Sequence, residues 1–251
     1  MKKNKRIKVA MVYHYYAHYR YPILSLLCRQ ELPMPEYVLF SDKTANCKIE
    51  TIDPEYSTRP VNEGGLNWKF IKNMWITKDI LWQKGVIALV MSREYDVIIL
   101  LGSLYHISTW AAMILGRIIK KPVFLWTHGM LKNEGGLKGW LRDRFYKLSS
   151  GLLLYGNYAK DILIKRGYPA ETLHVVYNSL NYARQCQIKK TIRQDELQLL
   201  KKELFKYAEL PVLVFIGRLT SEKKLPMIIE AMNILQKEQI YLNLLLIGEG
   251  S

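Results

Sequence analysis

Short apolar runs rich in β-favouring residues, most of them followed by a stretch with helical spacing, fix the architecture. They lie at residues 7–13, 37–40, 96–101, 122–127, 151–155, 173–177, 211–216 and 242–247. Most are continuously apolar, as in Val97-Ile98-Ile99-Leu100-Leu101, rather than alternating. A strand of that kind is buried on both faces, the condition of a parallel sheet covered by helices. Helical spacing occupies 21–30, 80–93, 105–119, 137–148, 158–166, 191–207 and 225–237. This alternation predicts βαβ units and an α/β fold with parallel sheets.

The segment 41–67 is the least regular. With Pro54, Pro60, Gly64 and Gly65 it reads as a long loop holding at most a short strand. A polar, basic, helical segment then divides the chain. Residues 1–181 read as a Rossmann-like domain, 182–209 as a helical linker and 210–251 as the start of a second Rossmann-like domain. The last part offers strand, helix and strand, too little for a two-sided sheet of its own.

Apolar residues form 49% of the 251, which excludes a disordered chain. The 37 Lys and Arg against 22 Asp and Glu leave a net charge of +15, which favours anionic partners. The basic residues are spread along the chain without a reader motif, so nucleic acid is not expected among them. Cys28, Cys47 and Cys186 are far apart and show no metal-ligand spacing, so neither a metal site nor a disulfide framework is expected. Free thiols fit a reducing cytosol. The basic start Lys2-Lys3-Asn4-Lys5-Arg6 leads into a short run and then His14-Tyr15-Tyr16-Ala17-His18-Tyr19-Arg20, unlike a secretory signal. No run reaches the roughly 18 residues of a membrane span. The chain therefore reads as cytoplasmic and soluble or peripheral. Trp68, Trp75 and Trp82 recur among Lys69, Lys72, Lys78 and Lys84. They suit either core packing or peripheral contact with an anionic membrane.

Ligands of open α/β sheets bind beyond the carboxyl ends of strands. Two such ends carry distinctive residues. In Phe215-Ile216-Gly217-Arg218-Leu219-Thr220-Ser221-Glu222-Lys223 a strand ends in Gly217 and two cations precede a helix. Arg218, Lys223 and the helix amides together suit a diphosphate, although a solvated basic turn has the same composition. In Phe124-Leu125-Trp126-Thr127-His128-Gly129 a strand runs into His128, with Gly129 permitting a close turn.

These stretches resemble retaining glycosyltransferases of family 4, which have the GT-B fold. The likeness is carried by Gly217-Arg218-Leu219 with Lys223, by Glu230-Ala231, by Gly248-Glu249-Gly250, by His128-Gly129, and by Gly167-Tyr168-Pro169 before Val175-Val176-Tyr177-Asn178. It implies a GT-B-like chain: a complete N-terminal Rossmann-like acceptor-side domain with a parallel sheet, and an incomplete nucleotide-sugar-binding domain. Gly217, Arg218 and Lys223 would hold the donor diphosphate. His128, facing the interdomain cleft, would be the catalytic-site histidine that positions the transferred sugar. Ser179 and Asn181 stand where the family has Gly and Asp, and 178–181 reads as the crossing between domains.

The loop 13–20 lacks the glycines many members have there. Tyr16, His18 and Arg20, with Gly129, are acceptor-side candidates, an ordinary core edge being the other reading of the tyrosines. The implied substrates are a nucleoside diphosphate sugar and a glycan or lipid-linked acceptor, in cell-surface polysaccharide synthesis. No metal or other cofactor is expected, the cations replacing a divalent ion. The resemblance further implies a truncated chain, weakly active or inactive alone, because the family's later glutamate pair has no counterpart in the sequence. A non-catalytic or partner-completed binding protein is the alternative.

Overall fold

The computed structural model describes residues 6–31, 33–44, 49–130, 132, 134–178 and 180–250. Lys2–Lys5 of the basic start, Cys47, Ser179 and Ser251 lie outside these residues. The chain forms two compact units, Met1–Tyr182 and Ala183–Ser251.

The first unit runs β1 (Lys8–Val12), α1 (Tyr21–Cys28), β2 (Glu36–Ser41), β3 (Trp68–Phe70), β4 (Asn73–Trp75), β5 (Leu81–Gln83), α2 (Val86–Met91), β6 (Val97–Leu101), α3 (Ile107–Ile118), β7 (Val123–Thr127), α4 (Gly136–Leu148), β8 (Gly151–Leu154), α5 (Asn157–Lys165) and β9 (Leu173–Val175). Seven strands form one sheet in the order β3-β2-β1-β6-β7-β8-β9, every neighbouring pair parallel. The register sets Ala10 beside Ile98, Leu100 beside Leu125 and Leu125 beside Leu152.

Both faces are buried, as continuously apolar strands require. On one face Ala10, Val12, Ile98, Leu100, Leu125 and Leu152 pack with Val86 and Val90 of α2, Met113 of α3, Phe145 of α4 and Leu163 of α5. On the other, Met11, Leu39, Ile99 and Trp126 meet Leu24 of α1 and, from the long loop, Ile52 and Leu66. The 41–67 loop contains two 3-10 turns, Pro54–Ser57 and Val61–Glu63.

The sequence predicts one helix over 80–93. The structure has β5 there, paired antiparallel with β4, and only then α2. Gly85, at φ 98°, makes the turn between them. Gln83 is fixed by tertiary bonds that periodicity does not report: its Nε2 donates to the Tyr13 carbonyl at 2.9 Å and to Asn73 Oδ1 at 3.0 Å. The three recurring tryptophans consequently lie on β3, β4 and β5 and share no helical face. Trp68 is in the core, its Nε1 donating to Ser41 Oγ at 3.0 Å.

The second unit holds nearly all of α6 (Tyr182–Thr191), then α7 (Gln194–Leu204), β10 (Val212–Ile216), α8 (Leu225–Lys237) and β11 (Asn243–Ile247). The helix predicted over 191–207 is present as α7, and a separate helix that the spacing did not mark, α6, precedes it, the two broken at Ile192-Arg193. β10 and β11 are parallel, Val214 opposite Leu245. None of this unit's described residues is fully buried. Among the described residues of the chain, no helix is long and apolar enough to cross a membrane.

Leu125 is fully buried on the central strand β7. Leu125→Ala removes buried methyl groups and leaves a cavity, so it should lower the unfolding free energy by about 2–5 kcal/mol in urea titrations. A loss under about 1 kcal/mol would contradict the assigned core.

Candidate functional site at the switch point of the sheet

β1 lies between β2 and β6, so the chain leaves it first toward one edge of the sheet and later toward the other. The loops that follow adjacent strands diverge at such a point and leave a crevice at the carboxyl ends. Here the crevice is a cavity of about 320 Å³, whose lining includes Tyr13, His14, Arg20, Gly102, His128 and Tyr155. These residues follow β1, β6, β7 and β8. Gly102 lets the ends of β6 and β7 close up: a Cβ there would lie 2.7 Å from Thr127 Cβ.

His128 stands one residue past β7, exposed, its ring 4.4 Å from that of Tyr155. Partial burial, then the charge of Arg20, lowers its pKa below the ordinary value. Gly129 takes φ 69°, and a Cβ on it would press at 3.0 Å on both Ala159 Cβ and Leu154 Cδ2. Thr127 Oγ1 accepts from the Gly129 amide at 3.3 Å, and the Tyr146 hydroxyl donates to the Gly129 carbonyl at 3.3 Å. The turn that presents His128 is therefore clamped from two sides.

The loop after β1 distributes its candidates differently from the sequence expectation. Arg20 lines the cavity, donating from Nη2 to the Tyr155 hydroxyl at 2.6 Å. Tyr16 does not: it is 1% exposed, stacked on Tyr13, and donates to the Met11 carbonyl at 2.8 Å. His18 is on the surface, its Nδ1 3.2 Å from the Glu50 carbonyl.

His14 and His106 were not singled out by the sequence. His14 lines the cavity, and His106 lies behind it with ring centroids 5.5 Å apart. Nδ1 of each is buried without a hydrogen-bond partner among the described residues. Burial first, then Arg20, lowers the His14 pKa to about 4; burial first, then His14, lowers that of His106 to about 3. Both are neutral at pH 7. Burial and the neighbouring Tyr155 hold the Tyr13 hydroxyl well above its ordinary value. The position of His14 and Gly102, immediately past apolar runs, is the signal that could have found them.

In the second unit Gly217 follows β10, and its amide donates to the Ile247 carbonyl at 2.9 Å. The Leu219 amide likewise donates to the Glu249 carbonyl at 2.9 Å, so the loops after β10 and β11 run side by side. A Cβ on Gly248 would lie 1.8 Å from the Gly217 carbonyl oxygen, which makes glycine obligatory there. Arg218 and Lys223 are exposed and form no ion pair with the described residues. α8 begins beside them without a side-chain cap; Pro226 of its first turn has no amide proton and the Met227 amide donates to the Lys224 carbonyl at 3.0 Å, so the two cations and the positive end of the helix dipole are what this turn offers an anion.

No family model and no curated protein matches the chain. Solved structures do. HepE of Anabaena, in complex with UDP and glucose, is 15% identical with a TM-score of 0.58, over 98% of this chain and 62% of that one. A putative UDP-N-acetylglucosamine 2-epimerase of Listeria monocytogenes is 13% identical with a TM-score of 0.55, over 96% and 62%. The lipopolysaccharide outer core galactosyltransferase WaaB is 16% identical with a TM-score of 0.53, over 98% and 62%. At these identities the likeness concerns the fold, which is α/β, Rossmann-type and GT-B-like. The chain spans 62% of the length of each of these three structures.

The buried histidines generate a pH dependence. Their folded pKa values lie below the roughly 6.5 of an unfolded chain. Below about pH 6.5 the unfolded state thus binds more protons, and stability falls as pH drops toward 4 and then 3. Each histidine should contribute a slope of up to about 1.4 kcal/mol per pH unit between about pH 6 and 4.5. Urea titrations across that range should show it, with a shallower slope in His106→Phe; identical slopes in the two proteins would contradict the assignment.

Proposed function

We propose that this chain belongs to a glycosyltransferase that uses a nucleoside diphosphate sugar, of the retaining family-4 type. The observation that carries the reading is the switch-point cavity. Neutral imidazoles, tyrosine hydroxyls and aromatic faces around Arg20 suit a polyhydroxyl ring, which stacks through its C–H faces and bonds through its hydroxyls. The shared fold with a structure holding UDP and glucose, and with a galactosyltransferase, supports it.

In this reading the first unit receives sugar and acceptor, and the second holds the donor's diphosphate. His128 hydrogen-bonds a hydroxyl of the transferred sugar. The acceptor hydroxyl attacks the anomeric carbon with retention, the bond to the diphosphate breaks with its electron pair on the departing oxygen, and that oxygen takes the acceptor's proton. Arg218, Lys223 and the positive end of the α8 dipole stabilise the charge that grows on the leaving group, the work that a divalent ion does in other transferases. A glycan or lipid-linked acceptor, and a role in cell-surface polysaccharide synthesis on the cytoplasmic side, complete the proposal.

Calorimetry separates the two roles. Arg218→Ala and Lys223→Ala should each weaken UDP binding by tenfold or more, about 1.4 kcal/mol. His128→Ala should leave UDP affinity within about twofold while weakening UDP-glucose. Unchanged UDP affinity in both cation variants would remove the diphosphate assignment.

A further inference from the structure

Arg20 is a sheltered cation without a counter-ion among the described residues. Its guanidinium lies 5.2 Å from the Tyr13 ring centroid, 5.3 Å from that of Trp126 and 5.7 Å from that of Tyr155. Ring faces soften the cost of sheltering the charge but leave most of the guanidinium N–H groups without an acceptor. Of the five N–H donors of an arginine, Arg20 uses one in a hydrogen bond with the described residues, the bond to Tyr155.

Other sheltered arginines of this chain are treated differently. Arg142 and Arg166, with side chains 19% and 20% exposed, each hold a carboxylate, Glu134 and Asp143. Arg20 forms no ion pair among the described residues, and no acidic side chain lines the cavity it faces. The other cation in that lining, Arg142, is already matched to Glu134 at 2.8 Å. What remains is a fork of donors without an acceptor among the described residues, in a cavity whose other unmatched polar groups are neutral. A planar oxyanion answers that geometry, because a guanidinium bonds a carboxylate or phosphate through parallel N–H groups.

We infer that the saccharide received by this cavity carries a carboxylate or a phosphate, and that Arg20 recognises it. The inference rests on the proposed reading of the cavity as a saccharide site and narrows it to acidic sugars. Arg20 is then a specificity residue, since a neutral sugar would leave its charge unmatched.

The test titrates the whole chain with glucose, glucuronate, glucose 6-phosphate and UDP by calorimetry. Glucuronate or glucose 6-phosphate should bind at least tenfold tighter than glucose, and which of the two wins tells carboxylate from phosphate. The advantage should shrink with added salt, vanish in Arg20→Gln and persist in part in Arg20→Lys. Equal affinity for glucose and both anions in the wild type would overturn the inference while leaving a saccharide site. An effect of Arg20→Gln on UDP alone would overturn it by assigning the charge to the donor. No saccharide binding at all would remove the proposed site together with the inference. Should Arg20→Gln fail to fold, the wild-type comparison and Arg20→Lys decide the question.

Discussion

All seven strands of the main sheet point the same way, and the rest of the first unit follows from that. Parallel strands need crossovers, crossovers put helices over the faces, and covered faces demand apolar residues on both sides of every central strand. The carboxyl ends then share one edge. With β1 flanked by β2 and β6, the loops at that edge part on either side of β1 and leave a hollow. Tyr13, Gly102, His128 and Tyr155 come together because each stands at or just past a strand end.

This logic explains what could be read from residues alone. Val97-Ile98-Ile99-Leu100-Leu101 and the 122–127 run declare buried strands, and both are present as β6 and β7. His128 was legible because a strand led straight into a His-Gly pair. The helix expected over 80–93 was not one, because Gly85 and the bonds of Gln83 outweighed an apolar spacing that either structure could satisfy. Tyr16 and Arg20 sit four residues apart in one loop, and composition gave no means of separating them. The 3-10 turn His18–Arg20 and the start of α1 carry Arg20 to the cavity, while Tyr16 stays beneath it. His106 carried no local signal: it acquires its role from packing on His14, from a loop more than ninety residues earlier.

The two units differ in how their charges are kept. In the first, burial holds His14 and His106 neutral, and the guanidinium of Arg20 helps to hold down His14 and His128. Sugar hydroxyls are well served by such neutral partners, which can donate or accept. In the second, Arg218 and Lys223 stand exposed at the start of an uncapped helix, where a multivalent anion gains most.

The central claim is that the switch-point cavity is the ligand site of the first unit. Residue-resolved NMR of the isotopically labelled chain, titrated with glucuronate, tests it most directly. The account predicts shift changes concentrated at Tyr13, His14, Arg20, Gly102, His128 and Tyr155. Changes concentrated elsewhere in the first unit, with these residues unmoved at saturation, would contradict it.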